Sequence, residues 1–189
     1  MKGKNMKVLF VNACLRKESR TKILADYLLK KIGGDVQEIN LGHDLPAPLS
    51  EKTLNARNAL IKKGAFENEI FSYANAFANA DVIVAAAPLW DFSFPAVFKA
   101  FIEHVNVSGL VFKYTASGIQ TLCRAKTLYY VTTMGGYNPV DYGFGYVKAL
   151  CETLYGIHDV RLIKAEGLDI IGNDVEAILA AAKKEIDNI

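Results

Sequence analysis

The run Asp81-Val82-Ile83-Val84-Ala85-Ala86 limits what this chain can fold into more than any other segment. It is apolar at successive positions rather than alternate ones, as in a strand covered on both faces of a parallel sheet. A helical pattern follows from Pro95 to Val105. Between them lies Ala87-Pro88-Leu89-Trp90-Asp91-Phe92-Ser93-Phe94, an aromatic-rich strand-to-helix turn. In open α/β sheets, ligands bind outside the carboxyl ends of the strands. Trp90, Phe92 and Phe94 there offer stacking surface for a flat heterocycle, although aromatics in such a loop also serve simply to close a core.

The alternation recurs along the chain. Lys7 to Asn12 reads as a first strand, Thr21 to Ile32 as a helix stopped by Gly33-Gly34, and Val36 to Asn40 as a second strand. Leu41 to Ser50, with Gly42, Pro46 and Pro48, reads as loop. Glu51 to Asn79 is helical with a break near Gly64; Asp81 to Ala87 is the third strand. Gly109 to Leu122 is irregular or hairpin-like. Thr127 to Thr133 is the fourth strand, Val140 to Tyr155 a helix, Val160 to Ala165 the fifth strand, and Asp174 to Ile189 a closing amphipathic helix. Right-handed crossovers between such units predict an α/β fold: a doubly wound parallel five-stranded sheet of order 2-1-3-4-5 with helices on both faces. Its switch point lies between strands one and three, so the loops after strands one, three and four should form the site. A length of 189 residues without repeat, linker or low-complexity segment predicts one domain spanning 1–189.

Composition excludes several classes. A hydrophobic content of 51% against 22% charged residues is not that of a disordered chain. A net charge of +2 gives no bulk affinity for nucleic acid or membrane. The longest apolar run, Val82 to Trp90, is too short to span a bilayer. Met1-Lys2-Gly3-Lys4-Asn5 leads into the first strand without a signal-type cleavage site. Cys14, Cys123 and Cys151 are widely spaced and show no zinc pattern, so a reducing cytoplasm is the expected setting.

The loop after strand one is Ala13-Cys14-Leu15-Arg16-Lys17-Glu18-Ser19-Arg20-Thr21. Ser19 stands where a helix N-cap belongs and Thr21 falls in the first turn. Hydroxyls, orphan amides and the helix dipole together make an anion site, and Arg16, Lys17, Arg20 and Lys22 outweigh Glu18 around it. Neither a Walker A loop nor a Gly-x-Gly-x-x-Gly fingerprint is present. An ordinary N-cap with solvated basic residues has the same sequence. After strand four comes Thr132-Thr133-Met134-Gly135-Gly136-Tyr137-Asn138-Pro139, where two glycines allow the backbone close to a flat ligand, or simply form a tight turn. His43, His104 and His158 are isolated and are read as structural or exposed.

Taken together these loops resemble the FMN-dependent NADH:quinone oxidoreductases and azoreductases, which have a flavodoxin-like fold. The resemblance covers nearly the whole chain. The family's Pro-Met-Tyr-Asn-Phe stretch is here Pro88-Leu89-Trp90-Asp91-Phe92; its Phe-Arg-Tyr-Thr…Gly stretch is Phe112-Lys113-Tyr114-Thr115 with Gly118. Its Ser-Arg-Gly-Gly is Thr133-Met134-Gly135-Gly136, and its Ser-x-Ser is Ser19-Arg20-Thr21. The resemblance implies FMN as cofactor, bound by Cys14, Ser19, Arg20, Thr21, Leu89, Trp90, Asp91, Phe92, Thr133, Met134, Gly135 and Gly136, with Phe112 and Tyr114 covering the substrate. It further implies NADH or NADPH as donor, a quinone, azo compound or similar flat acceptor using the same place in turn, ping-pong kinetics and a homodimer. Nucleic acid, membrane and metal are not expected partners.

The chain departs from the family pattern at three positions and in one loop length. Cys14 stands where serine is frequent, the first loop is one residue shorter, Met134 replaces arginine and Asp91 replaces asparagine. A carboxylate at Asp91 cannot donate to a flavin carbonyl unless protonated, and it would repel an anionic reduced ring. Two other readings of the same fold stay open. One is a flavodoxin-type electron carrier, usually strongly acidic; the other is a flavin-free regulatory domain.

Overall fold

The computed structural model describes residues 5–137, 140 and 142–189. Most of the charged lead-in at Met1 to Lys4, the loop end at Asn138-Pro139, and Asp141 near the expected helix start lie outside the described residues. In chain order the elements are β1 (Lys7–Asn12), α1 (Arg20–Ile32), β2 (Asp35–Asn40), α2 (Glu51–Lys63), α3 (Ser72–Asn79), β3 (Val82–Ala86) and α4 (Ala96–Val105), followed by β4 (Phe112–Thr115), β5 (Gly118–Thr121), β6 (Thr127–Thr133), α5 (Phe144–Leu150), β7 (Asp159–Ala165) and α6 (Val175–Asp187). Five strands form one parallel sheet in the order β2-β1-β3-β6-β7, while β4 and β5 pair antiparallel as a hairpin apart from it. Counting the sheet's own strands, the order is the expected 2-1-3-4-5.

Side-chain alternation along the strands builds two cores. From β1, Val8 and Phe10 pack with Leu24, Ala25 and Leu28 of α1 and Ala182 and Ile186 of α6. Leu9 and Val11 join Phe77 of α3, Phe98 and Phe101 of α4 and Val147 of α5 in the other cluster. Successive residues of a strand point to opposite faces, so both faces of the sheet are covered, and the apolar run of β3 is explained. Packing, not capping, holds α4. It has no side-chain cap. It buries Phe98, Phe101 and Ile102, each worth about 1.5–3 kcal/mol, against about 1 kcal/mol for a cap.

The differences from the sequence expectation are local. The helical stretch from Glu51 to Asn79 is cut at Gly64, which takes the left-handed conformation (φ 67°) and donates its N–H back to Leu60 and Ile61. A short 3-10 turn then leads into α3. The helix expected from Val140 starts at Phe144, and its last turn, Cys151–Tyr155, widens to a π-helix ending at left-handed Gly156. The segment after Gly109 does form a hairpin. On α1 the buried residues are Thr21, Leu24, Ala25 and Leu28, and Ile23 is left exposed. No helix among the described residues is long and apolar enough to cross a membrane.

Candidate functional site

At the carboxyl ends of β1, β3, β6 and β7 a cleft of about 470 Å³ opens, within the size range of small-molecule and cofactor sites. Its first wall is the loop after β1. Buried Asn12 organises that loop: its Oδ1 accepts the Cys14 N–H (3.0 Å) and its Nδ2 donates to Glu38 Oε1 (2.8 Å). Ser19 is the N-cap of α1, with Oγ accepting the Lys22 N–H at 3.3 Å. Thr21 is fully buried, and its hydroxyl meets that of Thr133 at 2.7 Å, tying the β1 loop to the β6 loop. The first turn of α1 contains no acidic residue. It begins instead with Arg20, although a cation at a helix N-terminus is disfavoured by about 0.3–1 kcal/mol. That arrangement suits a bound anion better than it suits the helix. Lys22 contributes little, because its ammonium is taken by Asp26 at 2.8 Å.

The second wall is the loop after β3. Leu89 N–H donates to Thr133 O (3.0 Å), which sets the loop against β6. Trp90 and Ser93 exchange both backbone hydrogen bonds (2.8 and 2.9 Å), closing a two-residue turn. Its central residues, Asp91 (φ 49°) and Phe92 (φ 65°), both have positive φ, as in a type I′ turn. Asp tolerates that conformation; for a bulky residue such as Phe it is strained by about 1 kcal/mol or more. The turn leaves Trp90 on the cleft wall and carries Asp91 and Phe92 out to its exposed tip. Phe94 turns inward onto Phe98 (5.1 Å between centroids) and Tyr146 (5.6 Å), so it closes the core.

The third wall joins the loops after β6 and β7. Backbone bonds zip them together: Leu168 N–H to Met134 O, Asp169 N–H to Gly135 O (2.9 Å) and Gly167 N–H to Gly136 O (3.0 Å). Arg20 spans from α1 to this wall, its Nη1 donating to Asp169 Oδ1 (2.7 Å) and Leu168 O (3.2 Å). Both side chains are substantially exposed, so the pair itself is worth no more than about 1 kcal/mol. Its effect on position is larger in principle, since a free arginine side chain carries about 2 kcal/mol of rotamer entropy.

Of the residues singled out from sequence, Ser19, Arg20, Thr21, Leu89, Trp90, Thr133, Met134 and Gly135 line the cleft. Cys14 does not. It is buried beneath the loop with its thiol directed at Ala86 O (3.7 Å), and burial pushes it up to about 11, so it is a neutral packing group. Asp91, Phe92 and Gly136 also stand outside the lining. Phe112 is a correction: it is 6% exposed within the core beside α4, because the hairpin must anchor somewhere. Tyr114 packs edge-on against it (5.5 Å) but is 71% exposed and does not line the cleft. His104 Nε2–H donates to Ala47 O (2.8 Å) and its ring packs on Tyr73, a structural placement. Leu168 and Asp169 carry no mark in the sequence, because no local pattern identifies a loop whose partner Arg20 lies more than a hundred residues away. The one available signal was that the β7 strand, too, must end beside the switch point.

A family model described as having a flavodoxin-like fold matches residues 6–189. An FMN-dependent NADH:quinone oxidoreductase of Caldicellulosiruptor bescii is 31% identical, with 97% of each chain covered. A protein named FMN-dependent NADH:quinone oxidoreductase 2, from Clostridium acetobutylicum, is 33% identical over 92% of each. Among solved structures, an azoreductase from Bacillus anthracis superposes with a TM-score of 0.84 at 24% identity over 97% of both chains, a likeness of fold. With its sheet order, its cleft at the switch point and these relatives, the chain belongs to the flavodoxin-like family of FMN-dependent NADH:quinone oxidoreductases.

Proposed function

We propose that this chain is an FMN-dependent oxidoreductase that passes electrons from NADH or NADPH to quinones, azo compounds or similar flat acceptors. One observation carries most of the weight: a serine-capped helix N-terminus, free of acids in its first turn, faces a cleft walled by Trp90, Leu89 and Gly135. The donor set fits FMN. The α1 amides with Ser19 and Arg20 suit a phosphate, and Trp90 and Leu89 offer apolar surface to a ring. The redox chemistry would be that of the flavin; the chain binds it, orients it and limits water around it. Thr21 and Thr133 hold two walls at fixed spacing through their shared hydrogen bond. Asp91, Phe92 and Gly136 shape the neighbouring turns, and Cys14 packs beneath the phosphate loop.

Donor and acceptor use the one cleft in turn, which gives parallel double-reciprocal plots. The proposed enzyme is a homodimer, with a role for exposed Tyr114, which packs on buried Phe112, in covering the substrate. The whole of residues 1–189 acts as one FMN-binding domain, in the cytoplasm, where the three free cysteines stay reduced. A net charge of +2 favours this reading over an acidic electron carrier. The test is the visible spectrum of the purified protein, followed by anaerobic NADH and then a soluble quinone. The expected result is a flavin spectrum that bleaches and returns over many turnovers. A colourless protein that takes up no added FMN overturns the proposal, and reduction without quinone turnover would make it a carrier.

A further inference from the structure

Arg20 reaches 149 residues along the sequence to Asp169, and three features fix that contact. First, Asp169 sits on a rigid wall: its N–H donates to Gly135 O, and Asn173 Nδ2 braces the same loop at Gly167 O (2.7 Å). Second, Gly135 makes room for its carboxylate. A Cβ on Gly135 would lie 2.3 Å from Asp169 Oδ2. The φ of Gly135 is not in the left-handed region, so what a Cβ there would disturb is the seat of the Asp169 carboxylate, not the backbone conformation. Third, only Nη1 of Arg20 is used, on Asp169 Oδ1 and Leu168 O. A guanidinium has five N–H donors. The Nε–H and the two Nη2 hydrogens make no hydrogen bond among the described residues.

We infer that Asp169 is a positioning residue that clamps Arg20 by one nitrogen, so that its remaining donors face the anionic end of the cleft. The ligand group served is a phosphate monoester, which a planar guanidinium fork recognises with two parallel hydrogen bonds. Asp169 is also an anion near that phosphate, and its repulsion opposes the gain. At 70% side-chain exposure that repulsion is strongly screened by water, whereas the ordering of Arg20 is not. Positioning therefore outweighs repulsion, and removal of the carboxylate weakens phosphate binding rather than strengthening it.

The inference rests on the function proposed above, and the test separates the two. Flavin-stripped protein is titrated with FMN and with riboflavin, which lacks the phosphate. Asp169→Ala should weaken FMN about three- to tenfold and leave riboflavin unchanged. Asp169→Asn, which keeps one acceptor, should fall between it and the wild type. Arg20→Ala should weaken FMN at least as much, and the Arg20→Ala, Asp169→Ala double variant no further. An equal loss for both flavins means that Asp169 merely shapes the cleft, and overturns the inference. So does tighter FMN binding, or additive losses in the double variant. A wild-type chain that binds neither flavin overturns the functional proposal itself, and this inference with it.

Discussion

Helices α1 and α2 are each 13 residues long, each has a serine N-cap, and each stops at a glycine. Ser50 of α2 forms a reciprocal box with Thr53: its Oγ accepts the Thr53 N–H, and the Thr53 hydroxyl accepts the Ser50 N–H at 2.8 Å. Glu51 follows in the first turn, complementing the dipole. Ser19 of α1 makes a single, longer bond, and Arg20 stands where α2 has its acid. No residue of α2 is fully buried, while α1 buries four and points its N-terminus into the cleft. The lesson is that a helix start completed by its own side chains is closed to ligands. One with a single cap bond and no acid in its first turn leaves amides free for an anion, as the proposed phosphate site requires.

Making α1 resemble α2 should break the contrast most severely. Arg20→Glu removes a cation and adds an anion at the proposed phosphate, so FMN affinity in a fluorescence titration should fall by about 100-fold or more. Thermal stability should change by only about 1 kcal/mol, because an acid suits a helix N-terminus. The mirror change, Glu51→Arg, should leave FMN affinity unchanged.

A smaller effect separates the two caps. Ser19→Ala should weaken FMN about tenfold, with about 1 kcal/mol of stability lost. Ser50→Ala should cost a similar stability in urea unfolding and nothing in FMN binding. If both variants bound FMN like the wild type, Ser19 would be an ordinary cap and the contrast would fail.

The thiols report on both cores, Cys14 on the one beneath α1 and Cys123 and Cys151 on the one across the sheet. Burial raises Cys14 to about 11, and Cys123 and Cys151 to about 12, from an ordinary value of 9.0. A group whose folded value is raised stabilises the fold fully below its unfolded value and loses that contribution as pH climbs towards the folded one. Stability should therefore decline between about pH 9 and the range of 11 to 12. At pH 8 the native protein should resist alkylation at Cys14. Rapid labelling of Cys14 there would mean that the α1 loop opens freely, and that its geometry is not preset.

The turn after β3 should respond least. Phe92→Gly relieves the positive φ and should stabilise by up to about 1 kcal/mol, a Tm rise of about 2–4 °C in a domain of this size. Asp91→Asn should leave FMN affinity unchanged and raise its midpoint potential slightly at most, since the side chain is exposed at the turn tip and screened. A spectroelectrochemical titration showing a large shift would place that carboxylate against the ring.

Much of this architecture was legible in local pattern. β1 and β6 begin and end where their apolar runs do, and the break at Gly64 follows from its freedom to adopt a left-handed turn. Ser19 was recognisable as a cap because capping depends on neighbours three residues apart. The roles of Phe112 and Tyr114 were not separable in this way. Adjacent strand positions point to opposite sides, yet these two share a side, and only the docking of the hairpin buries one and exposes the other. Trp90 and Phe92 looked equivalent until the turn between them set one on the cleft wall and the other at the tip.

The sequence by itself determined the alternation of strands and helices, hence the parallel sheet and the three loops that border its switch point, because these follow from periodicities and caps contained within short windows. Tertiary structure alone decided that the loop after β7 is a fourth border, that Asp169 fills the space left by Gly135, and that Arg20 is held rather than free. Those contacts join residues more than thirty or a hundred positions apart. They exist only once parallel strands bring their carboxyl ends together, and no local pattern of hydrophobicity or charge records which loop will meet which.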